Sequence, residues 1–240
     1  VKKTIVSSRD PVTILGGGTV FADDLSLAQT YSSVIVAADS GAHVALEADV
    51  ELAAVIGDMD SISTRSFAQI PPEKRFVITE QDSTDFDKAL RHVETPLVIA
   101  VGFSGGCIDH QLAVFHTLVR RPDRPCLVLA EHDVIFLCPR RIDLPLPPRT
   151  RVSLFPLGPV SGRSEGLEWP IDGLQFAPGK LSGTSNRATG PVSLEMEAPC
   201  MLCILPRTFF ADVIRVLMAL PPEYGQWPAR AAPRKAPPRS

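Results

Sequence analysis

Asp58 and Asp60 stand two residues apart in Gly57-Asp58-Met59-Asp60-Ser61, directly after the apolar run 53–56. Two carboxylates at that spacing in an irregular turn can reach one hard cation, because such ions take oxygen ligands in flexible geometry. Alone, the pair reads more readily as a solvated acidic loop. A second cluster shifts that balance. In Gln81-Asp82-Ser83-Thr84-Asp85-Phe86-Asp87-Lys88, three acids precede an amphipathic stripe. Thr84 is placed to cap a helix, with Asp87 three residues later. Asp85 falls in the first turn, where the helix dipole favours a carboxylate, and Lys88 lies three residues on along the same face. Capping accounts for Thr84 and Asp87. It gives no reason for Asp82, Asp85 and Lys88 beside a second acidic turn.

The third cluster, Gly102-Phe103-Ser104-Gly105-Gly106-Cys107-Ile108-Asp109-His110, follows an apolar run and precedes a helical stripe. Glycines let backbone amides approach an anion, and a helix N-terminus favours phosphate. By itself this signal is weak: Asp109 can simply cap the helix, and His110 reads as a structural side chain. Gly16-Gly17-Gly18 is a weaker form of the same signal. It lacks the GxGxxG spacing, and the chain contains no Walker A motif.

These turns need a scaffold that brings them together. Apolar, β-branched-rich runs at 12–15, 34–38, 53–56, 75–78, 97–101 and 126–129 have strand length, and most close on Gly or Asp. Between them lie helical stripes, Phe86, Ala89, Leu90 and Val93 in one, Leu112, Phe115, Leu118 and Val119 in another, with a short candidate at 42–48. That alternation predicts an α/β fold, a mostly parallel sheet with flanking helices, over 1–138. In such sheets ligands bind beyond the carboxyl ends of the strands, where the polar turns fall. After residue 139 prolines and Gly-containing turns punctuate short apolar runs at 151–155, 192–196 and 201–205. This predicts a small all-β sandwich over 139–220, closed by a helix carrying Phe209, Val213, Ile214, Leu217 and Leu220. The Pro-, Ala- and Arg-rich stretch 221–240 is expected to be a disordered tail.

Composition excludes several classes. The 240 residues are 45% hydrophobic and 21% charged, with a net charge of −3, so nothing in the global charge draws the chain to nucleic acid or an anionic membrane. No apolar run reaches the roughly 18–20 residues of a membrane span, and no signal peptide is visible. Five cysteines at irregular spacing, including a lone Cys200-Met201-Leu202-Cys203, read as reduced and mostly buried thiols, which points to the cytoplasm.

Ala38-Asp39-Ser40-Gly41-Ala42, the two acidic clusters and Gly105-Gly106-Cys107-Ile108-Asp109-His110 resemble, in order, the blocks of the thiamine pyrophosphokinase (thiamine diphosphokinase) family. Gly166-Leu167-Glu168-Trp169-Pro170-Ile171-Asp172 and Gly183-Thr184-Ser185-Asn186 resemble the signatures of that family's β-domain, so the likeness runs over about 12–206. The resemblance implies transfer of a pyrophosphoryl group from ATP to the hydroxyl of thiamine, giving thiamine diphosphate and AMP, by a homodimer that uses Mg²⁺. Carried over by residue, it implies Asp58, Asp60 and Asp85 as metal and catalytic positions, and Lys88 and Asp109 as further catalytic positions. Asp39, Ser40, Gly41, Gly105 and Gly106 fall on the nucleotide side. Gln81, Ser185 and Asn186 fall on the substrate side, the last two across the dimer interface. Two departures stand out. Cys107 occupies the place where the family often has Arg, and Leu202 is nearest the place where some members have a ring-stacking Trp. Two alternatives share these motifs: a diphosphokinase for another hydroxymethyl heterocycle such as a pterin, and a catalytically weak thiamine-diphosphate-binding protein.

Overall fold

The computed structural model describes residues 4–225 and 227–230. The first half folds as β1 (Val6–Ser7), β2 (Val12–Leu15), α1 (Asp24–Gln29), β3 (Val34–Ala38), α2 (Gly41–Glu47), β4 (Ala54–Gly57) and α3 (Thr64–Gln69). It continues through β5 (Arg75–Val77), α4 (Asp85–His92), β6 (Val93–Glu94), β7 (Val98–Val101), α5 (Ile108–Arg120) and β8 (Cys126–Leu129). Strands β2, β4, β7 and β8 are buried at every position, as expected of parallel strands covered on both faces. Their side chains alternate between two cores. Leu15, Ile35, Ala37, Val55, Ile99 and Val101 face one, with Ala28 of α1 and Ala42 and Ala45 of α2. Ile14, Val36, Ile56, Val98 and Ala100 face the other, with Phe86, Ala89 and Leu90 of α4 and Val114 and Leu118 of α5.

The strand order through this half is β8-β7-β2-β3-β4-β5. From β2 the chain winds outward through β3, β4 and β5, then returns to pair β7 in parallel on the other side of β2. The direction of winding therefore reverses between β2 and β7. In an open α/β sheet that switch point leaves a crevice beyond the carboxyl ends of the strands.

The remaining elements are β9 (Asp133–Leu137), β10 (Arg141–Leu144), β11 (Arg151–Pro156), β12 (Gly162–Leu167), β13 (Gly183–Met196), β14 (Met201–Pro206), α6 (Phe210–Ala219) and α7 (Pro222–Gly225). All their pairing is antiparallel. Strand β9 pairs both β8 and β14, so one sheet runs from the α/β half into the β half. The long β13 pairs β11 through its first residues and β10 and β12 through its last, carrying the chain between the layers of the sandwich. A division near 138/139 is proposed on this basis, since parallel pairing ends at β8.

Two expectations change. Helices α1 and α3 were not foreseen, and α3 buries none of its own residues. The expected tail is instead packed over part of its length. α7 precedes Trp227, which is only 7% exposed; its Nε1 donates to the Cys138 carbonyl at 3.0 Å, and the Arg140 guanidinium lies 5.0 Å from the ring centre. One large aromatic with a buried hydrogen bond is enough to hold a proline-rich segment down. Residues 231–240 lie outside the described residues.

Candidate functional site

The crevice at the switch point is a cleft of about 620 Å³. Its walls come from four strand ends: Gly16–Gly18 after β2, Asp39 and Ser40 after β3, Asp58, Asp60 and Ser61 after β4, and Gly102, Phe103, Gly105, Gly106 and Cys107 after β7. The first turn of α4 adds Asp85, Phe86 and Lys88, and α5 adds His110, Gln111 and Val114. The two glycine turns touch backbone to backbone. Gly18 N donates to the Gly102 carbonyl at 2.9 Å, and a Cβ at Gly16 would stand 2.5 Å from that same oxygen. Gly102 itself has φ +76°, a conformation that side chains oppose.

Three carboxylates converge. Asp39, Asp58 and Asp60 each offer an oxygen within 4.8 Å of the others. Asp39 is 2% exposed, held at φ +44° with its amide on the Ile56 carbonyl, and its Oδ1 has no hydrogen-bond partner. Burial pushes its carboxyl above the usual range, and the Asp85 charge adds to that. A buried, unpartnered carboxylate oxygen is costly unless a ligand completes it. An all-oxygen set at this spacing suits a hard divalent cation.

Lys88 is 1% exposed and bridges two acids, with Nζ 2.9 Å from Asp58 Oδ2 and 2.9 Å from Asp85 Oδ1. Burial opposes its charge, but the hydrogen bonds with Asp58 and Asp85 outweigh that and leave its pKa raised. The same Lys88 contact holds Asp58 below the usual carboxylate range. Gln81 Nε2 donates to Asp58 Oδ2 at 3.2 Å. Thr84 caps α4 through the Asp87 amide, as its spacing predicts, but the Asp87 side chain is buried against Arg121.

The structure sorts the other sequence candidates. Ser40, Gln81, Gly105 and Gly106 line the cleft; Gly41 starts α2 beneath it. Asp85 is the partner of Lys88 and stands outside the three-carboxylate group, whereas Asp39 stands inside it. Asp109 does not line the cleft: it is exposed at the start of α5 and accepts from the His110 amide at 2.9 Å. Asp82 lies on a neighbouring groove with His116 and Arg120. Cys107 is exposed on the cleft wall. Of the other cysteines, Cys126, Cys138 and Cys203 are buried, and burial pushes the Cys203 thiol up to about 12. Leu202 is 1% exposed inside β14 and cannot stack on a ligand. Ser185 and Asn186 lie on β13, away from the cleft of their own chain. Asn186 holds a loop: its Oδ1 accepts from the Trp169 and Arg187 amides at 3.2 and 2.8 Å, and its Nδ2 donates to the Trp169 carbonyl at 2.7 Å.

Sequence reasoning missed the apolar wall. Phe86 and Phe103 pack with ring centres 4.4 Å apart and planes tilted by 46°, and both line the cleft. Phe103 sits inside the glycine turn that carried the phosphate signal, so an aromatic in that turn was the available clue.

Fold and site define a chain with a carboxylate cleft at the switch point of an α/β sheet and an antiparallel β half that continues that sheet. Residues 26–128 match the family model "Thiamin pyrophosphokinase, catalytic domain" and 140–201 match "Thiamin pyrophosphokinase, vitamin B1 binding domain". Together these models take in well over half the sequence, and the chain belongs to the thiamin pyrophosphokinase family. It is 28% identical over 149 residues to thiamine pyrophosphokinase 1 of Arabidopsis thaliana, a match covering 54% of this chain and 56% of that relative. The chain thus matches little more than half the length of that protein. Thiamin pyrophosphokinase of Candida albicans has the same fold, with a TM-score of 0.69 and 17% identity over 86% of this chain and 94% of that one. So does thiamine pyrophosphokinase of Bacillus subtilis, with a TM-score of 0.66 and 19% identity over 82% and 98%.

Proposed function

We propose that this chain transfers a pyrophosphoryl group from ATP to the hydroxyl of thiamine, giving thiamine diphosphate and AMP. The observation that carries the reading is the unpartnered Oδ1 of Asp39 beside Asp58 and Asp60, in a chain whose two halves match the two thiamin pyrophosphokinase models. Both models concern thiamin, so the pterin alternative is not favoured.

In this reading Asp39, Asp58 and Asp60 hold Mg²⁺, and bound Mg²⁺ neutralises phosphate oxygens at the reacting centre. Among the residues lining the cleft, four carboxylates face a single lysine, so a bare polyphosphate is repelled and the nucleotide enters with its cation. Gly105 and Gly106 put backbone without side chains against the phosphates, and Phe86 and Phe103 supply an apolar wall for a ring. The thiamine oxygen forms a bond to the β-phosphorus. The bond from that phosphorus to the α–β bridging oxygen breaks, AMP leaves with that oxygen, and the hydroxyl proton passes to a cleft carboxylate. Ser185 and Asn186 reach a cleft only from a second copy, so the working form is a homodimer. The exposed Phe155, Trp169, Leu174 and Leu181 of the β half support that assembly. Unpaired thiols throughout fit the cytoplasm.

The test is incubation of the full chain with Mg-ATP and thiamine, followed by identification of both products. AMP with thiamine diphosphate supports the reading. ADP, or a pterin accepted in place of thiamine, overturns it.

A further inference from the structure

The stretch between β5 and α4 borders open space on both sides. Gln81, Ser83 and Thr84 line the cleft of about 620 Å³, and with Asp82 they also line a groove of about 350 Å³ against His116 and Arg120 of α5. Gln81, Asp82 and Thr84 are exposed, and 79–84 forms neither helix nor strand. Such a wall has no packed layer behind it, so hydrogen bonds must set its shape. Several converge on Glu80, a side chain that lines neither cavity. Its Oε2 accepts from the Asp82 amide at 2.8 Å, and its Oε1 accepts from the Ser83 hydroxyl and, at 2.6 Å, from Arg91 Nη2. Arg91 stands in the last turn of α4, and among the described residues the one hydrogen bond from its guanidinium goes to Glu80. Burial opposes the charge of Glu80, but Ser83, Arg91 and the Asp82 amide outweigh that and hold its carboxyl below the usual range.

We infer that Glu80, anchored by Arg91, is the positioning residue that fixes this wall and so presents Gln81 to the cleft. Gln81 Nε2 meets Asp58 Oδ2 at 3.2 Å from a segment with nothing packed behind it. An ion pair as exposed as Glu80 and Arg91 is worth little by itself. Its effect here is geometric, because one carboxylate ties two points of the wall to a helix that is packed under the sheet. Glu80 touches no reacting group and acts through Gln81. The consequence for thiamine rests on the function proposed above; the first arm of the test is independent of it.

That arm is amide hydrogen exchange of the full chain without nucleotide or thiamine. In Glu80→Ala the amides of 81–84 are expected to exchange about tenfold faster than in wild type, the scale of one lost hydrogen bond, while those of β4 and β7 keep their rates. Unchanged exchange at 81–84 overturns the proposal, whether or not the chain makes thiamine diphosphate. The second arm is a kinetic cycle. Gln81→Ala and Glu80→Ala are each expected to raise the KM for thiamine by roughly tenfold, with kcat little changed. The double variant is expected to match Gln81→Ala alone, because residues that act through one another do not add. Effects that multiply make Glu80 independent of Gln81 and overturn the proposal, as does a wild-type KM in either single variant. If wild type makes no thiamine diphosphate, the proposed function fails and the exchange arm alone decides this proposal. Glu80→Gln keeps the size and loses the charge, so it moves both readouts in the same direction by less. It carries the same tests if Glu80→Ala does not fold.

Discussion

Asp39 in the α/β half and Asn186 in the β half are both buried polar side chains, 2% and 5% exposed, and both stand in motifs that the sequence marks as functional. Asn186 has partners for its acceptor and its donor, and all of them are backbone groups of its own chain, in the Trp169 loop and at Arg187 of β13. Asp39 has an oxygen with none. A satisfied buried polar group holds architecture. An unsatisfied one is a cost the fold carries for a ligand. The same contrast separates the surroundings. The cleft gathers four carboxylates and a buried lysine, while the Ser185–Asn186 segment acts on its own chain through one side-chain clamp.

The largest effect expected from this contrast is on turnover. Asp39→Asn, Asp58→Asn and Asp60→Asn each lower kcat by roughly 10²–10³-fold, the scale of about 2.7–4 kcal/mol for one lost transition-state contact. Assays at saturating Mg²⁺, with melting curves to show that the variants fold, check this. Near-wild-type rates in all three would remove the metal site.

The next effect is on stability and lies in the β half. Asn186→Ala leaves the Trp169 amide and carbonyl without partners and costs about 1–3 kcal/mol. For a chain of this size each kcal/mol lowers the melting temperature by roughly 2–4 °C. Mixing Asn186→Ala with Asp85→Ala protein sharpens the comparison. If the β half of one chain completes the cleft of the other, hybrid dimers regain activity. If subunits exchange and none returns, the shared site is lost and Asn186 is purely a clamp.

A smaller effect of opposite sign belongs to Asp39. Its carboxyl is raised by burial and by Asp85, so its charged form disfavours folding. That penalty is present above the raised folded pKa and disappears as pH falls below the unfolded value of about 3.9. In chelator at neutral pH, Asp39→Asn should therefore melt higher than wild type, and the gap should close on acidification. Asparagine also tolerates the left-handed backbone at this position, φ +44°. A variant that melts lower at neutral pH would show that Asp39 is structurally satisfied after all.

How much of this was legible beforehand follows from what each signal depends on. The buried strands were plain because parallel strands carry unbroken apolar runs. Helix α4 announced itself through Thr84 and a clean stripe. Helix α3 fully buries none of its residues, with Phe67 alone half-buried against the core, and left no stripe to find. Within the site, residue types were readable and directions were not. Asp109 and Asp85 both open helices, but only Asp85 faces the cleft. Asp39 joins Asp58 and Asp60 because β3 and β4 are sheet neighbours, a fact of pairing rather than of spacing. Trp227 was hidden among prolines whose composition alone argues for disorder.

Cys107 tests the cleft from its rim, with the smallest expected effect. Two readings of this residue make opposite demands. A thiol packed in the core would make arginine there destabilising, through a buried charge. The observed thiol is exposed at the N-terminal cap of α5, makes no capping hydrogen bond and follows two glycines that line the cleft. Nothing is lost from packing when it is replaced. Cys107→Arg should therefore melt with wild type. A guanidinium at this point can make paired hydrogen bonds to phosphate that a neutral thiol cannot. One charge-assisted contact of about 1.5–3 kcal/mol lowers the KM for ATP by roughly tenfold or more if fully realised, and by less where solvent competes. Melting temperature and the KM for ATP should be measured on the same preparation. Unchanged melting with an unchanged KM would mean that the nucleotide phosphates do not lie against the Gly105–Gly106 turn. They would then have to lie against the adjoining Gly16–Gly18 turn, which meets the Gly102 turn backbone to backbone.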